Sequence, residues 1–161
     1  MALSFAVLLL SLLLLHQPSG INGLTWENCR SDDQIVTLKT ISVQPDPIRL
    51  VGQISVEGSA YLGRSISFLE AELRVEKKFL FWWKLPCGVI ECTCDICQTL
   101  NLGSNCSLSS GYFNFPPTTL NVPQQNLSSF WTNGQYRVTV LLKSSGKIVG
   151  CVEMNFNIEN N

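Results

Sequence analysis

The chain has 161 residues, a length that fits one domain, and sets eleven Lys and Arg against twelve Asp and Glu. A balance this close to neutral offers no field to attract a polyanion, so nucleic acid is not expected as a partner. The single histidine, His16, lies in the first segment, and that position restricts the available chemistry.

Residues 1–23 read as a cleaved secretory signal. An apolar core, Ala6-Val7-Leu8-Leu9-Leu10 and then Leu12 to Leu15, ends at His16-Gln17-Pro18 and is followed by the small residues Ser19, Gly20 and Gly23. The core is too short to span a bilayer, which argues against the alternative of a permanent anchor. The mature domain is then residues 24–161, and it contains no histidine. Ser-His-Asp triads, Cys-His dyads and histidine-containing zinc sites are excluded with it. Asp32-Asp33 could in principle do acid–base work, but adjacent acids in a polar segment read as solvated surface. No catalytic residue, no metal and no cofactor is expected.

Seven cysteines remain, Cys29, Cys87, Cys92, Cys94, Cys97, Cys106 and Cys151. In an exported protein they read as disulfides. Cys92-Thr93-Cys94-Asp95-Ile96-Cys97 superficially resembles a zinc or redox motif, a reading disfavoured by export and by the lack of histidine. Asn105-Cys106-Ser107 and Asn126-Leu127-Ser128 are N-glycosylation candidates.

Along the mature chain, Ile35 to Val43 is rich in β-branched residues and is stopped by Pro45-Asp46-Pro47. Ile54 and Val56 alternate with Ser55 and Glu57. Leu69, Ala71, Leu73 and Val75 alternate with Glu70, Glu72, Arg74 and Glu76. That segment is rich in helix formers, but its period of two favours a half-buried strand. Phe79-Leu80-Phe81-Trp82-Trp83 follows Lys77-Lys78 and precedes Lys84. Five large apolar residues in a row cannot share one side of a strand. The run therefore admits two readings, a buried core strand or an aromatic surface for a lipid or an anionic membrane. Phe130-Trp131 is a second aromatic pair. The segment from Cys92 to Asn126 has little periodicity and reads as a long excursion pinned by disulfides. Tyr136, Val138, Val140 and Leu142, then a turn at Ser144-Ser145-Gly146-Lys147, then Val152, Met154, Phe156 and Ile158 read as a hairpin with one apolar face per strand. Short strands without a convincing long helix predict an all-β fold, a single sandwich or barrel.

Several motifs recur together in a known family. They are Trp26-Glu27-Asn28-Cys29, Gln44-Pro45-Asp46-Pro47-Ile48, Trp82-Trp83-Lys84-Leu85-Pro86-Cys87, Gly134-Gln135-Tyr136-Arg137 and Ser144 through Cys151. In this order they resemble the ganglioside activators of the lipid-recognition (ML) domain family, over nearly the whole mature chain. The resemblance implies an immunoglobulin-like β-cup with an internal apolar lipid cavity. It implies a non-enzymatic carrier that lifts ganglioside GM2, a glycosphingolipid, from a membrane and presents it to lysosomal β-hexosaminidase A. The contact with the anionic membrane surface would be transient. Phe79, Leu80, Phe81, Trp82 and Trp83 would form the rim, with Trp82 on the tryptophan of the family's apolar loop and Phe130 and Trp131 in a second rim segment. The strand faces at Ile54, Val56, Leu73, Val75, Tyr136, Val138, Val140, Met154 and Phe156 would line the cavity. By the same resemblance Cys29 pairs with Cys151, Cys87 with Cys92 and Cys97 with Cys106. The family's fourth bridge falls in a stretch shortened here, which leaves Cys94 without an evident partner. The family's glycosylation position reads Gln53. A lysosomal location through the secretory pathway, or an extracellular one, is expected. A general secreted lipid-transfer protein with no dedicated hydrolase is the second reading, and an enzyme is the third.

Overall fold

A computed structural model describes residues 23–29, 34–49, 52–87, 92–103, 106–122 and 133–159. Among them the strands are β1 (Thr25–Asn28), β2 (Val36–Gln44), β3 (Gly52–Leu62), β4 (Glu70–Lys78), β5 (Trp82–Lys84), β6 (Thr93–Asp95), β7 (Gly111–Val122), β8 (Gly134–Ser144) and β9 (Lys147–Ile158). One short helix, α1 (Ile96–Thr99), follows β6 and is capped by Asp95, whose carboxylate accepts from the Cys97 and Gln98 amides. Of the expected signal segment, residues 1–23, all but Gly23 lies outside the described residues.

The strands form two antiparallel sheets, the all-β sandwich expected from the alternation. The larger runs β1-β9-β8-β4-β5, with β6 also on β4; the smaller runs β2-β3-β7. The helix-former-rich segment is strand β4, paired along its length with β8. Its odd positions, Ala71, Leu73 and Val75, point inward, and its glutamates point out. The β8–β9 hairpin turns at Ser145 and Gly146, both with positive φ (50° and 75°), as a tight turn with the right-handed strand twist requires.

The segment after Cys92 is more regular than its composition suggests. It holds β6, α1 and the twelve-residue strand β7. Pro116-Pro117 obscures that strand, because proline cannot donate to a ladder. Here β7 is an edge strand, paired only with β3, and the prolines sit in an irregularity between Phe115↔Gly58 and Thr118↔Val56.

One seam of the sandwich is bonded shut. The Asn28 carboxamide donates to the Leu38 carbonyl and accepts from the Leu38 amide, both at 3.0 Å, imitating a strand partner across the two sheets. Ile35 donates to Val149 and Ile48 to Asn157 on the same side. Across the opposite seam, among the described residues, no backbone hydrogen bond joins β7 to β4 or β5. That seam is closed near α1 by the Ile66–Leu108 bridge and the Cys97–Cys106 disulfide.

Two apolar clusters fill the ends. The first gathers Val36, Leu62, Ile66, Leu69, Leu108 and Val149 near α1. The second gathers Val43, Ile48, Leu85, Tyr136 and Ile158 at the far end.

Candidate functional site

Between the sheets lies an apolar cavity of about 210 Å³. The small sheet contributes Val36, Leu38 and Ile41 from β2, Val56, Ala60 and Leu62 from β3, and Phe113 and Phe115 from β7. The large sheet contributes Val140, Leu142, Val152 and Met154, and α1 with its neighbours closes one side through Ile96 and Leu100. Every side chain in the lining is apolar. Apolar cavities of ~150 Å³ stay dry and take up hydrocarbon solutes, so this space selects hydrocarbon over water.

Register shifts in β2 and β7 set which side chains face inward. In β2 the pairing slips at Lys39, so that Leu38 and Ile41, three apart, both face inward. In β7 the slip at Pro116-Pro117 returns Thr118 and Phe115 to the same side. Gly58 is required between them: a Cβ there would lie 2.3 Å from the Thr40 carbonyl oxygen and 2.4 Å from the Phe115 ring.

Of the residues expected to line the cavity, Val56, Val140 and Met154 do so. Ile54, Val75, Tyr136 and Phe156 pack in the second apolar cluster beyond it. Leu73 and Val138 occupy the same inward face of the large sheet, opposite Val140 and Val75, but are not part of the lining. Phe113 and Phe115 were hidden by the prolines of β7, and Ile41 by the slip in β2. No periodic signal marks Ile96 and Leu100.

The aromatic run is a hairpin rather than a strand. Phe79 to Phe81 form its tip, closed by the Phe79 amide on the Phe81 carbonyl, and β5 returns along β4. Leu80 at the tip is 95% exposed, Phe81 60% and Trp83 55%. The two tryptophans part company here. Trp83 lies opposite Lys77, on the inward face, and stacks with Phe81 at 5.9 Å between ring centroids. Trp82 lies opposite Lys78 on the outward face, with the Arg137 guanidinium 4.4 Å and the Lys78 ammonium 5.7 Å from its ring centroid. Trp82 therefore sits under cations on the outer sheet surface, while Phe81 and Trp83 are presented on the cavity side. Phe130 and Trp131 lie outside the described residues, as do Asn105 and Asn126.

Beneath the hairpin Lys77 is buried, at 3% exposure. Its ammonium donates to the Asn133 carbonyl and to the Tyr136 hydroxyl (3.1 Å) and faces the Tyr136 and Phe79 rings. Burial pulls its pKa below the usual lysine range and pushes the Tyr136 phenol up to about 12.

The disulfides are Cys29–Cys151, Cys87–Cys92 and Cys97–Cys106. Two of the three sulfurs of the Cys92-to-Cys97 motif are thus in bridges, and Cys94 stands outside all three.

Comparison with known proteins agrees with this architecture. The ML domain family model matches residues 23–158. Two ganglioside GM2 activators, from Mus musculus and Macaca fascicularis, are each 29% identical to the chain. The first match covers 84% of this chain and the second 83%, with 82% of the relative covered in both. A crystal structure of a Niemann-Pick type C2 protein from the Japanese carpenter ant superposes with a TM-score of 0.57 at 15% identity, covering 84% of this chain and 99% of that one.

Proposed function

The chain belongs to the ML domain family, and from its cavity and rim we propose that it is a non-enzymatic glycolipid carrier. In this reading it takes a ganglioside from a membrane and presents the sugar headgroup to lysosomal β-hexosaminidase A. The observation that carries the reading is the wholly apolar cavity with an exposed aromatic hairpin on its inward side. The similarity to ganglioside GM2 activators points to the headgroup class.

The physical problem is one of access. A hydrolase in water cannot reach a short headgroup lying against a bilayer. A carrier that shelters the acyl chains removes the obstacle, each methylene offsetting about 0.8 kcal/mol of exposure to water. Phe81, Trp83 and Leu80 insert at headgroup level while Lys78 and Lys84 meet anionic lipid, each lysine adding about 1 kcal/mol. Docking of this strength is reversible.

At about 210 Å³ the cavity is smaller than the ~300–1,000 Å³ typical of sites for drug-sized ligands. A two-chain lipid therefore has to widen it. The seam between β7 and the β4–β5 hairpin is where widening breaks no backbone hydrogen bond among the described residues. The setting is the secretory pathway and lysosome, or the cell exterior.

The test uses liposomes carrying a ganglioside, the purified protein and hexosaminidase. The protein should withdraw ganglioside and raise turnover. Withdrawal of ganglioside and phospholipid alike, without higher turnover, would establish a general lipid-transfer protein instead. Hydrolysis by the protein alone would make it an enzyme.

A further inference from the structure

On the outer surface of the large sheet, at the end where the hairpin departs, the chain forms a second hollow of about 250 Å³. Thr25 on β1, Asn155 and Asn157 on β9, Gln135 on β8, Lys78 on β4 and Trp82 on β5 border it. The register puts these side chains on one face, since Thr25 is opposite Asn155, Gln135 opposite Asn157 and Lys78 opposite Trp82. The sheet separates this hollow from the protein interior. Tyr136 and Phe156, adjacent to Gln135 and Asn157, also border the hollow, while their rings stack at 6.1 Å in the second apolar cluster.

The chemistry of this corner differs from the rest of the same face. Elsewhere the surface is a ladder of opposite charges, with Glu72 on Lys143 and Glu76 on Arg137. In the hollow, among the described residues, no carboxylate is part of the lining. Three carboxamides and a hydroxyl supply paired donors and acceptors at neighbouring positions. An indole supplies a flat apolar surface. Lys78, 5.7 Å from that indole's ring centroid, is the cation among the described lining residues, whereas Arg137 beside the indole is already paired with Glu76. The Asn155 amide reaches Glu153 only at 3.4 Å, a long contact that a better acceptor can replace.

Adjacent amides match vicinal hydroxyls, a flat indole matches the C–H face of a pyranose, and a cationic corner matches a carboxylate. We propose that this hollow is a subsite for an acidic sugar. Gln135, Asn155 and Asn157 bridge its hydroxyls, and Lys78 meets its carboxylate. The inference rests on the glycolipid reading and deepens it. The chains lie on the inner side of the large sheet, and the headgroup turns round the three-residue edge strand β5 to the outer side.

Free sialyllactose and neutral lactose distinguish the sugar chemistry from the lipid. In two-dimensional NMR, sialyllactose should shift the side-chain amides of Gln135, Asn155 and Asn157 and the Trp82 indole N–H. Lactose should need about tenfold more ligand, the worth of one charge-assisted contact, and Lys78→Gln should narrow that gap. In a second arm, phosphatidylcholine vesicles carry either a sialylated glycolipid or ceramide. Asn155→Ala, checked for an unchanged melting curve, should lower the ratio of glycolipid to ceramide withdrawn several-fold. Sialyllactose shifts absent from these residues, or an unchanged ratio in Asn155→Ala, would overturn the proposal. If the wild-type protein withdraws neither lipid while sialyllactose still shifts the hollow, the carrier reading fails and the sugar site stands.

Discussion

The guanidinium of Arg137 lies 4.4 Å from the ring centroid of Trp82 while also donating to Glu76 at 2.7 Å. This three-residue contact fixes which way the aromatic hairpin faces. Successive strand residues point to opposite sides. With Trp82 held on the outer surface, Trp83 and Phe81 are necessarily on the inner one. The side chain that anchors the hairpin and the side chains that it displays are therefore neighbours in sequence with separate tasks.

Arg137→Ala should destabilise the protein by about 1–2 kcal/mol, the sum of a partly desolvated cation–π contact and a half-buried ion pair. Arg137→Lys keeps the charge but not the planar stack, and should recover only part of that. Urea unfolding of both variants measures it. Equal stability of Arg137→Ala and the wild type would mean that Trp82 is seated by something else.

Trp83→Ala should weaken binding to anionic vesicles by tenfold or more. A large exposed side chain contributes roughly 1.5–3 kcal/mol when it is buried in lipid. Its melting temperature should hardly move, because the side chain is 55% exposed. Trp82→Ala should do the reverse, lowering the melting temperature while costing less vesicle affinity. Vesicle sedimentation beside thermal melts separates the two. A larger affinity loss in Trp82→Ala would place the membrane contact on the outer surface.

The sequence announces β4, β8 and β9 clearly, because each alternates without interruption against a solvated face. It hides β7, whose central prolines contradict a strand unless the strand is an edge with an irregularity at that point. It also hides much of the cavity. Ile41 is out of phase with Leu38 until the slip at Lys39 is known, and Leu73 is in phase yet lies off the lining. The aromatic run is conspicuous in composition, but composition cannot say that it turns back at Leu80. Only that turn decides which tryptophan faces the lipid.

Gly58→Ala should lower stability by about 1–3 kcal/mol, the usual range for overpacking. The added methyl meets the Thr40 carbonyl oxygen, which is backbone, and the Phe115 ring. The ring is the only one of the two able to yield, and it moves at the expense of the cavity. Uptake of a fluorescent fatty-acid analogue should fall more steeply than stability. Unchanged uptake in a destabilised Gly58→Ala would show that Phe115 does not bound the bound lipid.

Glu72 accepts a hydrogen bond from Lys143, and that bond, with the charge it carries, holds the Glu72 carboxyl below its ordinary value of 4.5. A carboxyl depressed in the folded state stabilises above its unfolded pKa, and the contribution is lost as pH falls through the folded one. The pair therefore survives mild acid. Glu72→Gln should be less stable than the wild type at neutral pH and at pH 5, and the gap should close as pH falls below the ordinary carboxyl value of 4.5 and through the lower folded one. Thermal melts across that range would reveal it, and a gap independent of pH would assign the loss to packing.

The three disulfides close loops of very different length, with sequence separations of 122, 9 and 5. If they act by restricting the unfolded chain, removing Cys29–Cys151 costs about 5 kcal/mol, Cys97–Cys106 about 3 and Cys87–Cys92 about 2. Each pair should be replaced by serines together, in a Cys94→Ser background, so that no thiol is left to exchange with a remaining bridge. The Cys29–Cys151 bridge also ties β1 to β9 beside Asn28, whose carboxamide joins the two sheets at Leu38. Its loss should therefore loosen the bonded seam as well, seen as faster hydrogen exchange at Leu38 and Ile35. Nearly equal losses from all three pairs would mean that native-state packing around each bridge, rather than loop length, sets its worth.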